Sequence, residues 1–148
     1  MKQEKRSFEE IEVGEQRTSY GRTVTETDVH GFAGLEGHYG ELHTNKEYAK
    51  ETPYGRRIAH GALNVTLIQG FMASTPWNFR TYALYGFDNI RFINPVFIGD
   101  TVHLEAEIVD KEKRDDEAGT ITIDCELRKQ DGTLATVLKW ILLVHRKS

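Results

Sequence analysis

The sequence predicts one α+β domain over residues 1–148, in which a curved antiparallel sheet wraps around a central buried helix. Three observations predict this. The chain has 148 residues, 39% hydrophobic and 28% charged, which is enough for one proper core and too apolar for a disordered chain. After His60, the residues Ala62, Leu63, Val65, Thr66, Leu67, Ile68, Phe71 and Met72 make a helix apolar nearly all round, and such a helix must be enclosed. From Tyr82 onward, stretches with period-two alternation are separated by short turns.

Each element has a local reason. Arg17–Val24 alternates and is rich in strand formers. In Thr25-Glu-Thr-Asp28 the threonine can accept from the amide three residues on, and Asp28 suits a first turn, so a helix opens there. Val29, Phe32, Ala33 and Leu35 give it an apolar side, and Gly34 and Gly37 break it. Thr44-Asn-Lys-Glu47 has the form of a capping box that opens a short helix near Glu47–Lys50, and Thr52-Pro53-Tyr54-Gly55 closes it in a turn. The buried helix stops before Pro76.

Tyr82–Asn94 follows as a strand with room for a bulge, and Pro95–Asp100 as a turn. Thr101–Lys113 sets Val102, Leu104, Ala106 and Ile108 on one face. After a polar loop at Arg114–Gly119, Thr120–Lys129 does the same with Ile121, Ile123, Cys125 and Leu127. Gln130-Asp131-Gly132 is a tight turn, and Leu134–His145, apolar on both faces, reads as a central strand. One strand, a buried helix and a four-stranded meander make the hot-dog arrangement. Its sheet has edges, which invite pairing, so a homodimer joined edge to edge is expected.

The net charge of −4 argues against a general nucleic-acid binder. A cationic patch for a phosphorylated ligand has to be assembled by folding from Arg56, Arg57, Arg80 and Arg91. The single cysteine, Cys125, has no partner for an internal disulfide and reads as a small buried apolar residue. There is no Cys-x-x-Cys and no His/Cys set with zinc spacing, so no metal is expected. No apolar run approaches the roughly 20 residues that span a bilayer. The segment MKQEKRSFEE lacks the apolar stretch of a signal peptide, and a cytoplasmic protein is the expectation.

The chemistry concentrates between Phe32 and Gly61, FAGLEGHYGELHTNKEYAKETPYGRRIAHG, which holds His38, His43 and His60 in a Gly-rich setting. Long irregular segments of this kind are usually functional. Phe32, Ala33, Gly37, His43 and Ala49, followed by Arg57-Ile58-Ala59-His60-Gly61, resemble the motifs of MaoC-like dehydratases and R-specific enoyl-CoA hydratases. The likeness continues more weakly through Phe92-x-Asn-Pro95 and Gly99-Asp100-Thr101. One departure matters. Where the family pattern has its catalytic Asp, its Asn and its Pro, this chain has His38, Gly40 and Glu41.

The resemblance implies an acyl-thioester hydratase or dehydratase. It needs no cofactor beyond the coenzyme A of the substrate, and His43 is its acid/base. Three readings of the missing carboxylate remain open. His38 and His43 work as a pair, since imidazoles titrate near neutrality. Alternatively, Glu41 supplies the carboxylate, which would also serve a thioesterase. In the third reading hydration is lost, and the fold binds or hydrolyses a thioester. Gly61 opens the buried helix, and the resemblance makes its N–H the donor to a developing enolate oxygen. His60 reads as an anchor of the loop before that helix. Tyr39, Tyr54, Phe71, Met72, Trp77 and Phe79 are candidates for an acyl pocket, and Arg56, Arg57 and Arg91 for coenzyme A phosphates. His30, His103 and His145 carry no assignment.

Overall fold

A computed structural model of the chain describes residues 4–148. After a 3-10 turn at Phe8–Glu10 come β1 (Gln16–Thr18), β2 (Arg22–Thr23), α1 (Glu26–Glu36), α2 (Glu41–Thr44), α3 (Lys46–Lys50) and α4 (Gly61–Ser74). Four long strands follow: β3 (Thr81–Phe92), β4 (Thr101–Lys113), β5 (Ala118–Lys129) and β6 (Leu134–His145). They form a six-stranded antiparallel sheet in the order β1-β4-β5-β6-β3, with β2 also paired to β4. This is the expected α+β hot-dog architecture, a sheet packed around the helix α4.

Local signals fix most boundaries. Thr25 accepts from the Asp28 amide while Asp28 returns a carboxylate oxygen to the Thr25 amide, a reciprocal cap on α1. Gly37, at φ +77°, ends α1 in a left-handed turn. Gly99 at φ +98° and Gly132 at φ +85° sit in the two turns expected to need them. Val102, Leu104, Ala106 and Ile108 face inward together, against the inward Ile121, Ile123, Cys125 and Leu127. Burial pushes the Cys125 thiol up to about 12, with Asp124 adding to the effect, so the cysteine is inert packing.

Five expectations need correction. The last four strands are not a meander: β3 pairs with β6, because β1 and β2 already occupy the free edge of β4. The strand expected at Arg17–Val24 is split into β1 and β2 around Ser19–Gly21. The cap of α3 is Asn45, whose side chain accepts from the amides of Glu47 and Tyr48; the Thr44 hydroxyl is spent on the carbonyls of Tyr39 and Gly40. The loop before β5 is shorter than expected, since that strand starts at Ala118. Finally, α4 is enclosed on one side only. Leu63, Asn64, Leu67, Ile68, Phe71 and Met72 are buried, while Ala62, Thr66, Gln69, Gly70 and Ala73 are exposed.

Beside that open helix face, β3 is an edge strand with three register irregularities and a left-handed Asn89. It displays Tyr82, Leu84, Tyr85 and Phe92 to solvent. Among the described residues, no helix is long and apolar enough to cross a membrane.

Candidate active site

The site is assembled by the turn between α1 and α2 and by the start of α4. The left-handed Gly37 reverses the chain, so that both Gly37 and His38 donate their amides to the Ala33 carbonyl. Two residues on, Gly40 caps α2; a side chain there would lie 2.8 Å from Nε2 of His38, so glycine lets the His38 ring fold over. The extended segment before α4 is tied down by the amide of Ile58 on the Leu42 carbonyl at 3.3 Å and that of Ala59 on the Val96 carbonyl at 2.8 Å. His60 is the N-cap residue of α4 and is only 2% exposed.

These constraints bring three imidazoles together. The rings of His43 and His60 stack at 3.9 Å between centroids, and His38 packs edge-on to both at 5.3 Å. Nδ1 of His43 lies 2.8 Å from the Ile58 carbonyl oxygen, and Nε2 of His60 lies 3.0 Å from that of His38. A carbonyl only accepts, so both nitrogens carry hydrogen. Neutral rings then leave lone pairs on Nε2 of His43 and Nδ1 of His60. Burial pushes the His43 imidazole below its ordinary pKa; the Ile58 hydrogen bond opposes this, and His60 and His38 reinforce it.

The cluster forms one wall of a cavity of about 500 Å³. Gly61, Phe92, Asn94 and Pro95, all singled out by the sequence motifs, line it as well. The first amides of α4 have no acceptor within the helix. At Gly61 a side chain would approach the Phe92 ring to 2.8 Å, so glycine lets that ring pack against the start of α4.

The remaining candidates lie elsewhere. Glu41 sits two residues before His43 on α2, which turns it to another side of the helix. Its carboxylate accepts from Asn45 at 3.0 Å, and it does not line the cavity. Tyr39 is exposed and packs back toward His30. Arg57 is paired with Glu26 at 2.8 Å. Of the aromatic candidates only Tyr54 reaches this cavity; Met72, Trp77 and Phe79 line a second one of about 490 Å³ at the far end of α4, and Phe71 is core.

Two cavity residues were missed. Glu36, at the end of α1, is the carboxylate that faces the histidines, and its charge opposes the drop in the His43 pKa. Asn64 is buried one turn into α4; its amide nitrogen donates to the Thr136 hydroxyl, while its carbonyl oxygen has no hydrogen-bond partner among the described residues. A polar residue in an otherwise apolar helix face was the available signal for Asn64. Glu36 had none, since a carboxylate at a helix end is ordinarily solvated.

The profile of the MaoC like domain family matches residues 8–127. The chain is 36% identical over 97 residues to Protein MaoC of Klebsiella aerogenes, covering 66% of this chain and 29% of that one. It is 37% identical over 95 residues to an (R)-specific enoyl-CoA hydratase of Rhodospirillum rubrum, 64% of each. The matches therefore span less than two thirds of these relatives. A solved Archaeoglobus structure described as a monoamine oxidase regulatory protein superimposes over 100% of this chain and 99% of its own, with a TM-score of 0.93 and 34% identity.

Proposed function

Because this chain belongs to the MaoC-like domain family, we propose that it is an acyl-thioester hydratase/dehydratase acting on a 2-enoyl or 3-hydroxyacyl coenzyme A thioester. The observation that carries the reading is the placement of His43. Its Nδ1 is fixed on the Ile58 carbonyl, which leaves Nε2 as a base on the wall of a cavity that also holds the first amide of α4.

In the hydration direction, Nε2 of His43 accepts a proton from water and the hydroxyl adds to the β-carbon. The electrons of the double bond move toward the carbonyl, whose oxygen accepts from the Gly61 N–H as negative charge develops. His38, entering the step as the imidazolium, delivers a proton to the α-carbon and becomes neutral, and the proton taken up by His43 passes back to it to complete the cycle. His60 holds the turn in register through the His38 carbonyl. Glu36 favours the protonated form of His43 during the transfer. A thioesterase built on Glu41 has no support, because that side chain is engaged with Asn45 outside the cavity. Arg91 adjoins the cavity residue Phe92 in sequence, and Arg56 lies two residues from both Tyr54 and Ile58; these cations suit coenzyme A phosphates.

The working unit in this reading is a cytoplasmic homodimer. The free edge of β3 and the open side of α4 adjoin, and together they form the apolar surface that a second copy would cover. The test of the reaction is a panel of short enoyl-CoA thioesters, followed for enoyl absorbance and free thiol together. The expected result is loss of enoyl absorbance without thiol. Thiol release would reassign the chain to thioester hydrolysis, and neither signal would end the enzymatic reading.

A further inference from the structure

We propose that Asn64 recognises and orients the reacting oxygen of the substrate. Its side-chain carbonyl accepts the O–H of the 3-hydroxyl, which is the hydrogen that the attacking water keeps. The inference rests on the hydratase/dehydratase reading and adds a specificity-determining residue to it. Asn64 lies on the buried side of α4 among Leu63, Leu67, Ile68, Phe71 and Met72, and is 3% exposed. It lines the same cavity as Gly61, His43 and His60.

The Asn64 amide is half satisfied. Its nitrogen donates to the Thr136 hydroxyl on β6 at 3.2 Å, and its oxygen has no hydrogen-bond partner among the described residues. Turning the amide over would exchange the two ends and still leave one of them unmet. A buried polar atom left unpaired costs about 1–3 kcal/mol, so for packing alone an apolar residue would serve better here. A ligand that brings a donor removes that cost.

Position identifies the donor. In the proposed reaction the Gly61 amide takes the thioester carbonyl, and residues three apart on a helix are surface neighbours, about 5–6 Å from each other. Asn64 also stands one turn above His60, whose carbonyl accepts from the Asn64 amide at 3.2 Å and whose ring stacks on that of His43. The ligand group between the carbonyl and His43 is the β-carbon with its oxygen. An attacking water has two O–H bonds. One proton goes to Nε2 of His43 as the C–O bond forms, and the other stays on oxygen, donated to Asn64. In dehydration the 3-hydroxyl keeps its hydrogen on Asn64, takes the proton from His43 and leaves as water. The α-carbon proton passes to His38, and the electrons of that C–H bond form the double bond. Thr136 holds the amide for this task and pairs in register with Phe92, another cavity residue. A saturated acyl thioester lacks the oxygen and leaves Asn64 unpaired, so the site discriminates against it.

The test is equilibrium binding by calorimetry in the His43→Ala background, which removes the proposed base so that the ligands are not consumed. The probes are each enantiomer of 3-hydroxybutyryl-CoA, and butyryl-CoA, which lacks the hydroxyl. The expected result is that one hydroxy enantiomer binds about tenfold tighter than butyryl-CoA. Adding Asn64→Leu should bring that ratio near one while butyryl-CoA affinity is kept. Because Asn64→Leu leaves the Thr136 hydroxyl buried alone, a second variant, Asn64→Leu with Thr136→Val, removes both polar groups and protects the fold. No hydroxyl preference with Asn64 present, a preference that survives both variants, or equal loss of affinity for all three ligands would overturn the proposal. Hydration of an enoyl thioester by the wild type tests the reaction separately, since the affinity ratio is read without turnover.

Discussion

At the scale of single residues, geometry decides what sequence neighbours do. His43 and Glu41 are two positions apart in the chain, yet only His43 meets the cavity, because two residues on a helix point to different sides. The fold brings His38, His43, His60 and Gly61 to one cavity and leaves Glu41, Tyr39 and Arg57 outside it. Asp100 shows the same local logic in the scaffold. It is 5% exposed, paired with Lys129 at 2.8 Å, and also accepts from Gln130 and the Phe97 amide. Burial alone would raise its pKa, but Lys129, Gln130 and Phe97 together hold it below the ordinary value of 3.8. A lowered native pKa stabilises the fold above the unfolded value, and that stability is lost as pH falls through the native value. Asp100→Asn leaves Lys129 without its buried partner and should cost about 3 kcal/mol at neutral pH by urea unfolding. The gap to wild type should begin to narrow as pH falls below about 3.8 and close once pH has passed the lowered native value. A gap that persists in acid would show that the pair is not its cause.

At the scale of elements, what was legible was what is set locally. The bounds of β4 and β6, the Thr25 cap and the turn glycines were all readable from period, cap chemistry and φ requirements. Strand order was not, since β3 and β4 adjoin in sequence and yet lie on opposite sides of the sheet. Nor was the four-residue α2, which is held by the Thr44 hydroxyl on two carbonyls rather than by propensity. Contacts between elements make their own demands. Gly119 on β5 lies directly beneath the Phe8 ring, and a side chain there would overlap it. Lys111 donates to the Phe8 carbonyl at 3.0 Å and sits over the same ring, so the ring cannot easily move aside. Gly119→Ala should destabilise by about 2 kcal/mol through overpacking, and Gly119→Ala with Phe8→Leu should recover part of that. Unchanged unfolding in the single variant would refute the contact.

At the scale of the whole molecule, one free edge organises the surface. The sheet leaves β3 unpaired on its outer side, and next to it α4 exposes small residues where the sequence predicted enclosure on all sides. An apolar helix that one sheet covers on one side only still needs a cover on the other. The dimer reading predicts a solution mass about twice the 16.9 kDa of the chain. Leu84→Lys, on the exposed edge, should reduce it to that of a monomer in sedimentation experiments. A wild-type monomer would refute the reading.

In the proposed reaction an imidazole cluster performs chemistry for which the family motif otherwise uses a carboxylate. The most direct measurement is kcat for enoyl-CoA hydration of wild type, His38→Ala and His43→Ala, with thermal unfolding of each. His43→Ala should lower kcat by roughly 100-fold or more, with His38→Ala also impaired and both proteins folded. A folded His43→Ala that hydrates at the wild-type rate would contradict it.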